Sequence, residues 1–578
     1  MAKFDTIIQN GTIIDGTRAP RFVGDVGIRD GKVAAISRSS LNAADARQVI
    51  DAKGLIVAPG FVDLHTHYDA QIQWDPYCTL SGWHGVTSLV LGNCGFGFAP
   101  VAPANRERMM LSMSRVEAIP YDSMKEGMLW DWVTFPEWLD SLARMPKGVN
   151  VISYVPLGPL MIWVMGLEEA KSREPTAAEL AEMCRLINVG MDAGAPGWSV
   201  QKLGDGFTSV QRDYDGTPMV TDMMSNETCL AFAEVLRKRG NGHIQITQAR
   251  EDIYEDLIFV EKLAEVSGCP VLFNVVSAND YHPRQSKRLL AWAEKAQAKG
   301  NQVWLQAVNV GNEQTMTFAD FNLLDGQDDW RDVTLGDVAT RRAKMQDPQR
   351  RAALREDYDH GRMPVVTGPI KNFVIQEAIK PENKRWQGMT LEQIGAAQGR
   401  HPIDCLLDIV VDENLQTVIF TPPFNTDIEL NREIFSSEYT VPGVSDGGAH
   451  TKFVTLGRYT TEFITDFVRD KQILGLEEAH YRLSCLPAKM AGFLDRGVIL
   501  EGRPADLVIY DYAALRSTPQ EIVHDFPGGE WRRVQKAEGY RYIMVNGEVT
   551  FRDGECTGAT PGKLLRHGSD QGEERSAA

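Results

Sequence analysis

Between residues 61 and 489, short apolar runs alternate with stretches of helical pattern. The runs include VTSLVLGN at 86–93, HIQITQAR at 243–250 and NQVWLQAV at 301–308. Helical stretches between them, such as SNETCLAFAEVLRKRG, begin at a Ser or Thr cap and end at Gly. Strands that alternate with helices form parallel sheets, because a parallel strand needs a crossover connection. The alternation predicts an α/β fold, specifically a (β/α)8 TIM-like barrel enlarged by insertions.

The two ends of the chain differ from this middle part in their pattern of strands and turns. Residues 1–60 and 490–560 consist of short β-branched runs joined by Asn-Gly and Asp-Gly turns, which are typical of hairpins. Because both ends share this hairpin pattern, they most simply pack together. We therefore expect one small composite β-sandwich domain made from both ends. The barrel then covers residues 61–489, with a polar insertion around 310–400, and residues 561–578 form a disordered tail.

Composition excludes several classes of function. The 578-residue chain carries a formal net charge of -18, which argues against nucleic-acid and anionic-membrane partners. No apolar run approaches the roughly 18 residues of a membrane span, and the amino-terminal stretch lacks the pattern of a secretory signal. The eight cysteines are scattered without a CxxC pair, as in reduced proteins. We therefore expect a cytoplasmic protein with a small-molecule partner, and the sequence leaves open whether it forms a homo-oligomer.

Two histidines follow the first apolar run of the middle part. His65 and His67 come directly after LIVAPGFVDL, which has the composition of a buried strand. Side chains two residues apart on a strand point to the same face, so the two imidazoles project together. Neutral imidazole is a common zinc ligand, but zinc takes three or four protein ligands. The pair therefore predicts a metal site that needs further donors.

Two later segments supply candidates for those donors, each at the end of a predicted strand. Cys94 lies in SLVLGNCG, and a thiolate is a strong zinc ligand. Asp446 lies in YTVPGVSDGGAH, and an aspartate beside a metal-activated water serves both as ligand and as general base. Taken singly, these patterns are also typical of core packing and of turns. Their order along an alternating α/β chain favours a metal site built from His65, His67, Cys94 and Asp446.

The motifs PGFVDLHTH, GNCG, SDGGAH and GRPADLVIYD…VNG together resemble the amidohydrolase superfamily, in particular its N-acyl-D-amino-acid deacylase (D-aminoacylase) branch. The resemblance spans nearly the whole chain. It implies a metal-bearing (β/α)8 barrel with a composite β-sandwich, and hydrolysis of an amide or similar C–N bond by metal-activated water. By motif, it implies that His65 and His67 are strand-one ligands, that Cys94 is the cysteine ligand, and that Asp446 is the strand-eight ligand and catalytic base.

The chain departs from that family at two places. The family's fifth and sixth strands each deliver a histidine ligand, whereas this chain has Gln248 at the first place and Asn274 followed by two valines at the second. Amide side chains are poor zinc ligands, so a binuclear site is not expected. The remaining half-set predicts one Zn²⁺ per chain, as a zinc-dependent amidohydrolase.

Four residues are candidates for contact with substrate. Arg250 suits a carboxylate anchor, because a guanidinium pairs with a carboxylate through two hydrogen bonds. His450, four residues after Asp446, is close enough to face the site, and Gln248 and Asn274 occupy the positions of the absent histidines. The predicted function is hydrolysis of a small-molecule amide, such as an N-acyl amino acid. The sequence leaves open a lyase, a deaminase, a cyclic-amide or lactone hydrolase, and a catalytically inactive ligand-binding homologue.

Overall fold

The computed structural model describes residues 2–204, 211–248, 254–320, 323–362 and 367–567. Strands in this part of the chain are β1 Phe4–Ile13, β2 Phe22–Arg29, β3 Lys32–Ser37, β4 Ala46–Asp51, β5 Ile56–Pro59, β6 Phe61–Asp63, β7 Val86–Leu91, β8 Asn150–Ser153, β9 Val155–Pro156, β10 Gly197–Gln201, β11 His243–Thr247, β12 Val271–Val276, β13 Val303–Ala307, β14 Gln314–Met316, β15 Val374–Glu377, β16 Val418–Thr421, β17 Thr440–Pro442, β18 Leu507–Tyr510, β19 Arg516–Ser517, β20 Glu521–Val523, β21 Arg532–Val534, β22 Ala537–Glu538, β23 Tyr540–Val545, β24 Glu548–Arg552 and β25 Glu555–Cys556.

The α-helices of the same part are α1 Arg106–Val116, α2 Tyr121–Gly127, α3 Phe135–Arg144, α4 Leu157–Met165, α5 Leu167–Ser172, α6 Ala177–Asp192, α7 Asn226–Arg239, α8 Tyr254–Ser267, α9 Pro283–Ala298, α10 Asp328–Thr334, α11 Val338–Gln346, α12 Pro348–Asp359, α13 Leu391–Gln398, α14 Pro402–Asp412, α15 Ile428–Ser436, α16 Tyr459–Glu462, α17 Leu476–His480 and α18 Leu486–Met490. Two π-helical segments, Phe463–Asp470 and Tyr481–Cys485, continue α16 and α17. None of the helices among the described residues is both long and apolar enough to cross a membrane.

Parallel strands of the middle part form two sheets. One has six strands in the order β17-β13-β12-β11-β10-β9, and the other has three in the order β6-β7-β8. Only Tyr154 separates β8 from β9, and a parallel bridge between Thr66 and Gly447 joins the segments that follow β6 and β17. Helices lie between most successive strands, as parallel connections require. The predicted α/β class is confirmed.

Strands from both ends of the chain form one nine-stranded sheet. Its order is β25-β24-β23-β18-β5-β1-β2-β3, with β4 on β1. The two ends meet where β5 pairs antiparallel with β18, Val57 opposite Ile509. Both of these side chains are fully buried, in a core cluster that also contains Ile28 and Val33. Burial of this shared apolar face ties the amino-terminal hairpins to the carboxyl-terminal ones.

The run LIVAPGFVDL, which the sequence suggests is one strand, is divided between two sheets. Its first half, β5, belongs to the nine-stranded sheet, and its second half, β6, pairs with β7. Gly60 lies at the division, and a Cβ there would meet the Thr87 side chain at 2.3 Å. Glycine is therefore required where the chain passes from one sheet to the other.

The polar segment between β13 and β17 has secondary structure of its own. It contains the three-stranded antiparallel sheet β14-β16-β15 and helices α10–α14. Side chains of this segment, among them Met345 and Leu354, join the main core cluster. The segment therefore packs onto the body of the molecule as a folded insertion and extends beyond the predicted bounds of 310–400.

Residues 561–567, which the sequence places in a disordered tail, run along the three-stranded parallel sheet. The Val151 N–H donates to the Lys563 carbonyl at 2.9 Å, and the Leu565 N–H donates to the Val151 carbonyl at 2.7 Å. Leu565 is 1% exposed, so an apolar side chain anchors this stretch despite its polar neighbours. The remainder of the predicted tail, from residue 568, lies outside the described residues.

Candidate metal centre

His65, His67 and Cys94 meet at the carboxyl ends of β6 and β7. One ligand atom from each residue lies within 4.8 Å of the other two. His65 Nε2 is 3.3 Å from Cys94 Sγ, and all three side chains are at most 2% exposed. The structure thus brings together the three donors that the sequence singled out first.

Cys94 reaches this position through a tight turn after β7. Its backbone is left-handed, with φ 57°, a conformation that a residue with a Cβ adopts only at some cost. The Cys94 N–H donates to Gln245 Oε1 at 2.7 Å, and Thr247 Oγ1 lies 3.2 Å from the sulfur. Both partners lie on β11, so this strand holds the turn and places a hydroxyl beside the sulfur.

Asp446 is presented by the turn after β17. Its Oδ1 lies 3.3 Å from His65 Nε2 and 3.8 Å from His67 Nε2. The turn is held against the histidine segment, because the Ser445 hydroxyl donates to the His65 carbonyl at 3.0 Å and the His67 N–H donates to the Gly447 carbonyl at 2.7 Å. Like Cys94, Asp446 is left-handed, at φ 45°.

Three of the distances between donor atoms are close to those around a tetrahedral metal ion. Zinc bonds of about 2.0–2.3 Å at tetrahedral angles place neighbouring donors about 3.3–3.6 Å apart. The His65–Cys94 and His65–Asp446 separations are both 3.3 Å, and the His67–Asp446 separation is 3.8 Å. The donor set therefore suits zinc in chemistry, and these three separations suit it in spacing.

Two amide side chains support His65 from the far side of its ring. Gln306 Oε1, on β13, lies 3.3 Å from His65 Nδ1, and the side-chain amide of Asn274, on β12, also contacts that nitrogen. Asn274 Oδ1 has no hydrogen-bond partner among the described residues, so rotating the amide by 180° would pair this oxygen with an Nδ1–H. Either carbonyl fixes the proton on Nδ1 and leaves the Nε2 lone pair facing Cys94 and Asp446.

Gln248, at the place of the absent strand-five histidine, faces away from this cluster. Its Nε2 donates to Asp256 Oδ1, on α8, at 3.1 Å. Strand side chains alternate between faces, so Gln245 and Thr247 point toward Cys94 while Gln248 points to the other side. Among the described residues, Asn274 is thus the replaced position that reaches the centre. Arg250 lies outside the described residues.

A carboxylate that the sequence did not single out lies beside His67. Glu117 follows helix α1 and is fully buried, and its Oε2 is 3.7 Å from His67 Nε2 and 3.2 Å from His450 Nε2. The His450 N–H also donates to the Glu117 carbonyl at 2.7 Å. His450 therefore does face the site, through Glu117. The available sequence signal was a lone charge in the apolar stretch VEAIP.

Burial sets the protonation of the cluster. It lowers the pKa of His65 to about 4, so the imidazole is neutral, which is the form that binds metals. Burial also raises the pKa of Asp63 to about 7 and that of Asp69 to about 6. It raises the pKa of the Cys94 thiol as well, and the Glu117 charge adds to this shift. Burial thus disfavours the negative forms of the two carboxyl groups and of the thiol, and a bound cation would offset this.

Comparisons with known proteins show which family the chain belongs to. The model of the amidohydrolase family matches residues 48–551. N-acyl-D-aspartate deacylase of Alcaligenes xylosoxydans xylosoxydans is 27% identical over 98% of this chain and 96% of its own, and D-aminoacylase of the same organism is 25% identical over 97% of each.

A solved D-aminoacylase structure, from work on a binuclear metal centre with activation by one metal and attenuation by a second, matches 98% of this chain and 100% of its own with a TM-score of 0.66 and 26% identity. The predicted resemblance to the D-aminoacylase branch is confirmed over nearly the whole length of the chain. The protein belongs to the amidohydrolase family, whose model covers its parallel sheets and the four residues His65, His67, Cys94 and Asp446.

Proposed function

We propose that the chain is a metal-dependent hydrolase that cleaves the amide C–N bond of a small N-acyl compound, with an N-acyl amino acid as the first candidate. The observation that carries this proposal is the position of Asp446, 3.3 and 3.8 Å from two imidazole Nε2 atoms that cluster with the Cys94 thiol. Two relatives of full length are named for the deacylation of such compounds, which supports this substrate class.

Zinc is the proposed metal, with one ion per chain. Two imidazoles, a thiol and a carboxylate are donors that zinc prefers. The side chains of the fifth and sixth parallel strands that reach the cluster are a threonine, Thr247, and an amide, Asn274, neither of which is a usual zinc ligand. When bound, zinc supplies Lewis acidity that polarises the scissile carbonyl and makes water a stronger nucleophile.

Asp446 is the proposed general base. Its side chain is 21% exposed, whereas His65, His67 and Cys94 are at most 2% exposed, so water and substrate reach the cluster from its side. A carboxylate placed there accepts the proton of the attacking water and returns it to the leaving nitrogen. His450, 15% exposed and beside Glu117, is the proposed substrate contact on the same side.

The proposed architecture is a closed barrel together with a composite β-sandwich domain from the two chain ends. The barrel has eight parallel strands, with β8 and β9 counted as one: β6, β7, β8–β9, β10, β11, β12, β13 and β17. The bridge between Thr66 and Gly447 supports closure of the barrel, because it joins the first and last of these strands. The pairing of β5 with β18 supports the shared domain. Such barrels carry their active sites at the carboxyl ends of the strands, where the cluster lies.

A ligand-binding protein without catalysis is the second candidate. It is motivated by Thr247 and Asn274, which reach the cluster from the strands that deliver histidines in the relatives the sequence resembles. Under this alternative the barrel holds a small amide but does not cleave it. The two candidates differ in turnover, which a substrate screen measures directly.

The experiment is a screen of the zinc-supplemented chain against N-acyl-D- and N-acyl-L-amino acids, with esters and cyclic imides alongside. Asp446→Asn should lower kcat by on the order of 10²–10⁴, the usual contribution of general acid–base catalysis. It should retain more metal than His65→Ala, because the imidazoles and the thiolate hold most of the ion. Asp470→Asn is the control, since Asp470 is exposed and pairs with its neighbour Arg469. Near-normal turnover by Asp446→Asn would assign the proton to another group, and no turnover by the wild type in the whole screen would favour the ligand-binding protein.

A further inference from the structure

Glu117 is a fully enclosed carboxylate beside the cluster. It is 0% exposed, and neither of its carboxylate oxygens accepts a hydrogen bond of good geometry from the described residues. Its ion-pair contacts within the described part of the chain are with two histidines, His67 and His450, and with no lysine or arginine. A carboxylate buried in this way, with imidazoles as its partners, is stabilised by a positive charge beside it. A cation bound beside Glu117 would therefore stabilise its buried charge.

The backbone around Glu117 makes a negative charge there still less favourable. The residue follows the last turn of α1, where its N–H donates to the Met113 carbonyl at 3.0 Å. The carboxyl end of an α-helix carries partial negative charge, which disfavours an anion there. Glu117 is thus held at a place where neither solvent nor the helix offsets its charge.

The carboxylate points toward the donors already described. Glu117 Oε2 is 3.7 Å from His67 Nε2, and that nitrogen is 3.8 Å from Asp446 Oδ1. Both separations are close to those between ligands of one zinc ion, about 3.3–3.6 Å. An ion that binds His67 and Asp446 therefore lies within reach of Glu117 as well.

We propose that Glu117 is a metal ligand, which donates Oε2 to the same ion as His67 and Asp446. It would be a fifth protein donor beside the four described above, a coordination number to which zinc can expand. It comes from the segment after β7, whereas β11 and β12 present no histidine at their carboxyl ends. His450 is then a positioning residue for Glu117, since it contacts the carboxylate through Nε2 and the backbone carbonyl through its N–H. This inference rests on the metal centre proposed above.

Zinc affinity of matched variants tests the inference. The full-length chain is stripped with a chelator and titrated with Zn²⁺ against a chromophoric competitor, as wild type, Glu117→Gln and Glu413→Gln. Both substitutions replace a carboxylate by an amide of the same size, but Glu413 is 3% exposed and hydrogen-bonded to Thr417 and Asn383, outside the cluster. Glu117→Gln should weaken zinc binding by on the order of 10-fold or more. Glu413→Gln should leave it unchanged.

Two further measurements separate ligation from folding. Metal-free Glu117→Gln should melt no lower than the metal-free wild type, because an uncompensated buried charge has been removed, yet zinc should raise its Tm by less. In the Co²⁺-substituted protein, loss of an oxygen ligand should change the visible absorption spectrum. Glu413→Gln should show the wild-type spectrum and the wild-type zinc-induced rise in Tm.

Three results would overturn the inference. Unchanged zinc affinity and an unchanged Co²⁺ spectrum in Glu117→Gln would show that Glu117 is not a ligand, while the wild-type centre stands. Weaker zinc binding together with a wild-type Co²⁺ spectrum in Glu117→Gln would show that Glu117 acts on the centre without binding the metal. A wild type that binds no zinc would remove the proposed centre itself and Glu117 with it.

Discussion

His65 Nε2 lies 3.3 Å from Cys94 Sγ, although the two residues are 29 positions apart in the chain. The contact follows from the parallel pairing of β6 with β7, in which Asp63 is opposite Leu89. The carboxyl ends of the two strands lie at one edge of the sheet, so the residues just beyond them meet. Asp446 arrives at the same edge through the bridge between Thr66 and Gly447.

Gly448 should be essential for placing Asp446. It has φ 89°, and a Cβ there would meet the His67 carbonyl oxygen at 2.7 Å. Gly448→Ala should therefore cost at least the strain of a left-handed residue, about 1–3 kcal/mol, and should weaken metal binding because the turn moves away from His67. Denaturant unfolding and zinc titration measure the two effects.

Gly54→Ala is the matched control for this change. Gly54 has a similar φ of 81°, but a Cβ there meets nothing within 4 Å. It should show the backbone strain without any loss of metal affinity. Equal zinc affinities for Gly448→Ala and wild type would mean that the close approach to His67 does not position Asp446.

The pairing of β5 with β18 predicts that the chain ends depend on each other. A truncation that ends at residue 496 removes β18 to β25 and uncovers apolar side chains such as Val57, which is fully buried. We expect insoluble protein, measured as the soluble fraction after expression. Removal of residues 568–578 alone should leave the protein soluble. A soluble, folded truncation at residue 496 would show that the amino-terminal strands do not need their carboxyl-terminal partners.

His84 should make stability depend on pH. It is fully buried, with Nδ1 2.7 Å from Thr461 Oγ1 and Nε2 2.9 Å from the Gln535 carbonyl, and burial lowers its pKa to about 4. The unfolded chain binds a proton here below pH 6.5 and the folded chain does not, so this stability is complete above pH 6.5 and is lost as the pH falls toward 4. The loss amounts to about 3 kcal/mol.

His84→Gln should flatten the dependence between these pH values, as measured by urea unfolding at a series of pH values. His524→Gln, at an exposed histidine, should leave the dependence as in the wild type. An identical slope in His84→Gln and wild type would assign the acid sensitivity to other groups.

The sequence is sufficient to predict the α/β class and the meeting of the residues that follow strand ends, because strand period and motif order are local properties. It was less informative where position depends on tertiary contacts. Glu117 lies after a helix, and only the packing of α1 places it beside His67. Gln248, a predicted substrate contact, points to the other face, since the face toward Cys94 carries Gln245 and Thr247.

The carboxyl-terminal stretch also depends on tertiary contacts that its composition does not predict. Residues 561–578 are polar on average, and composition alone predicts disorder. Leu565 nevertheless is buried, and its N–H bonds to Val151. Two adjacent leucines, Leu564 and Leu565, were the only local sign of this docking, and their partner lies more than 400 positions earlier.

The metal content of the purified chain decides whether the proposed centre holds one ion. Elemental analysis after dialysis should find about one zinc ion per chain, because the donors form a single set. His65→Ala and Cys94→Ser should each lower this content, since both residues belong to the three-donor cluster. Two tightly held ions per chain would contradict the single set, and a metal-free chain that keeps full hydrolytic activity in the presence of a chelator would contradict the metal centre as a whole.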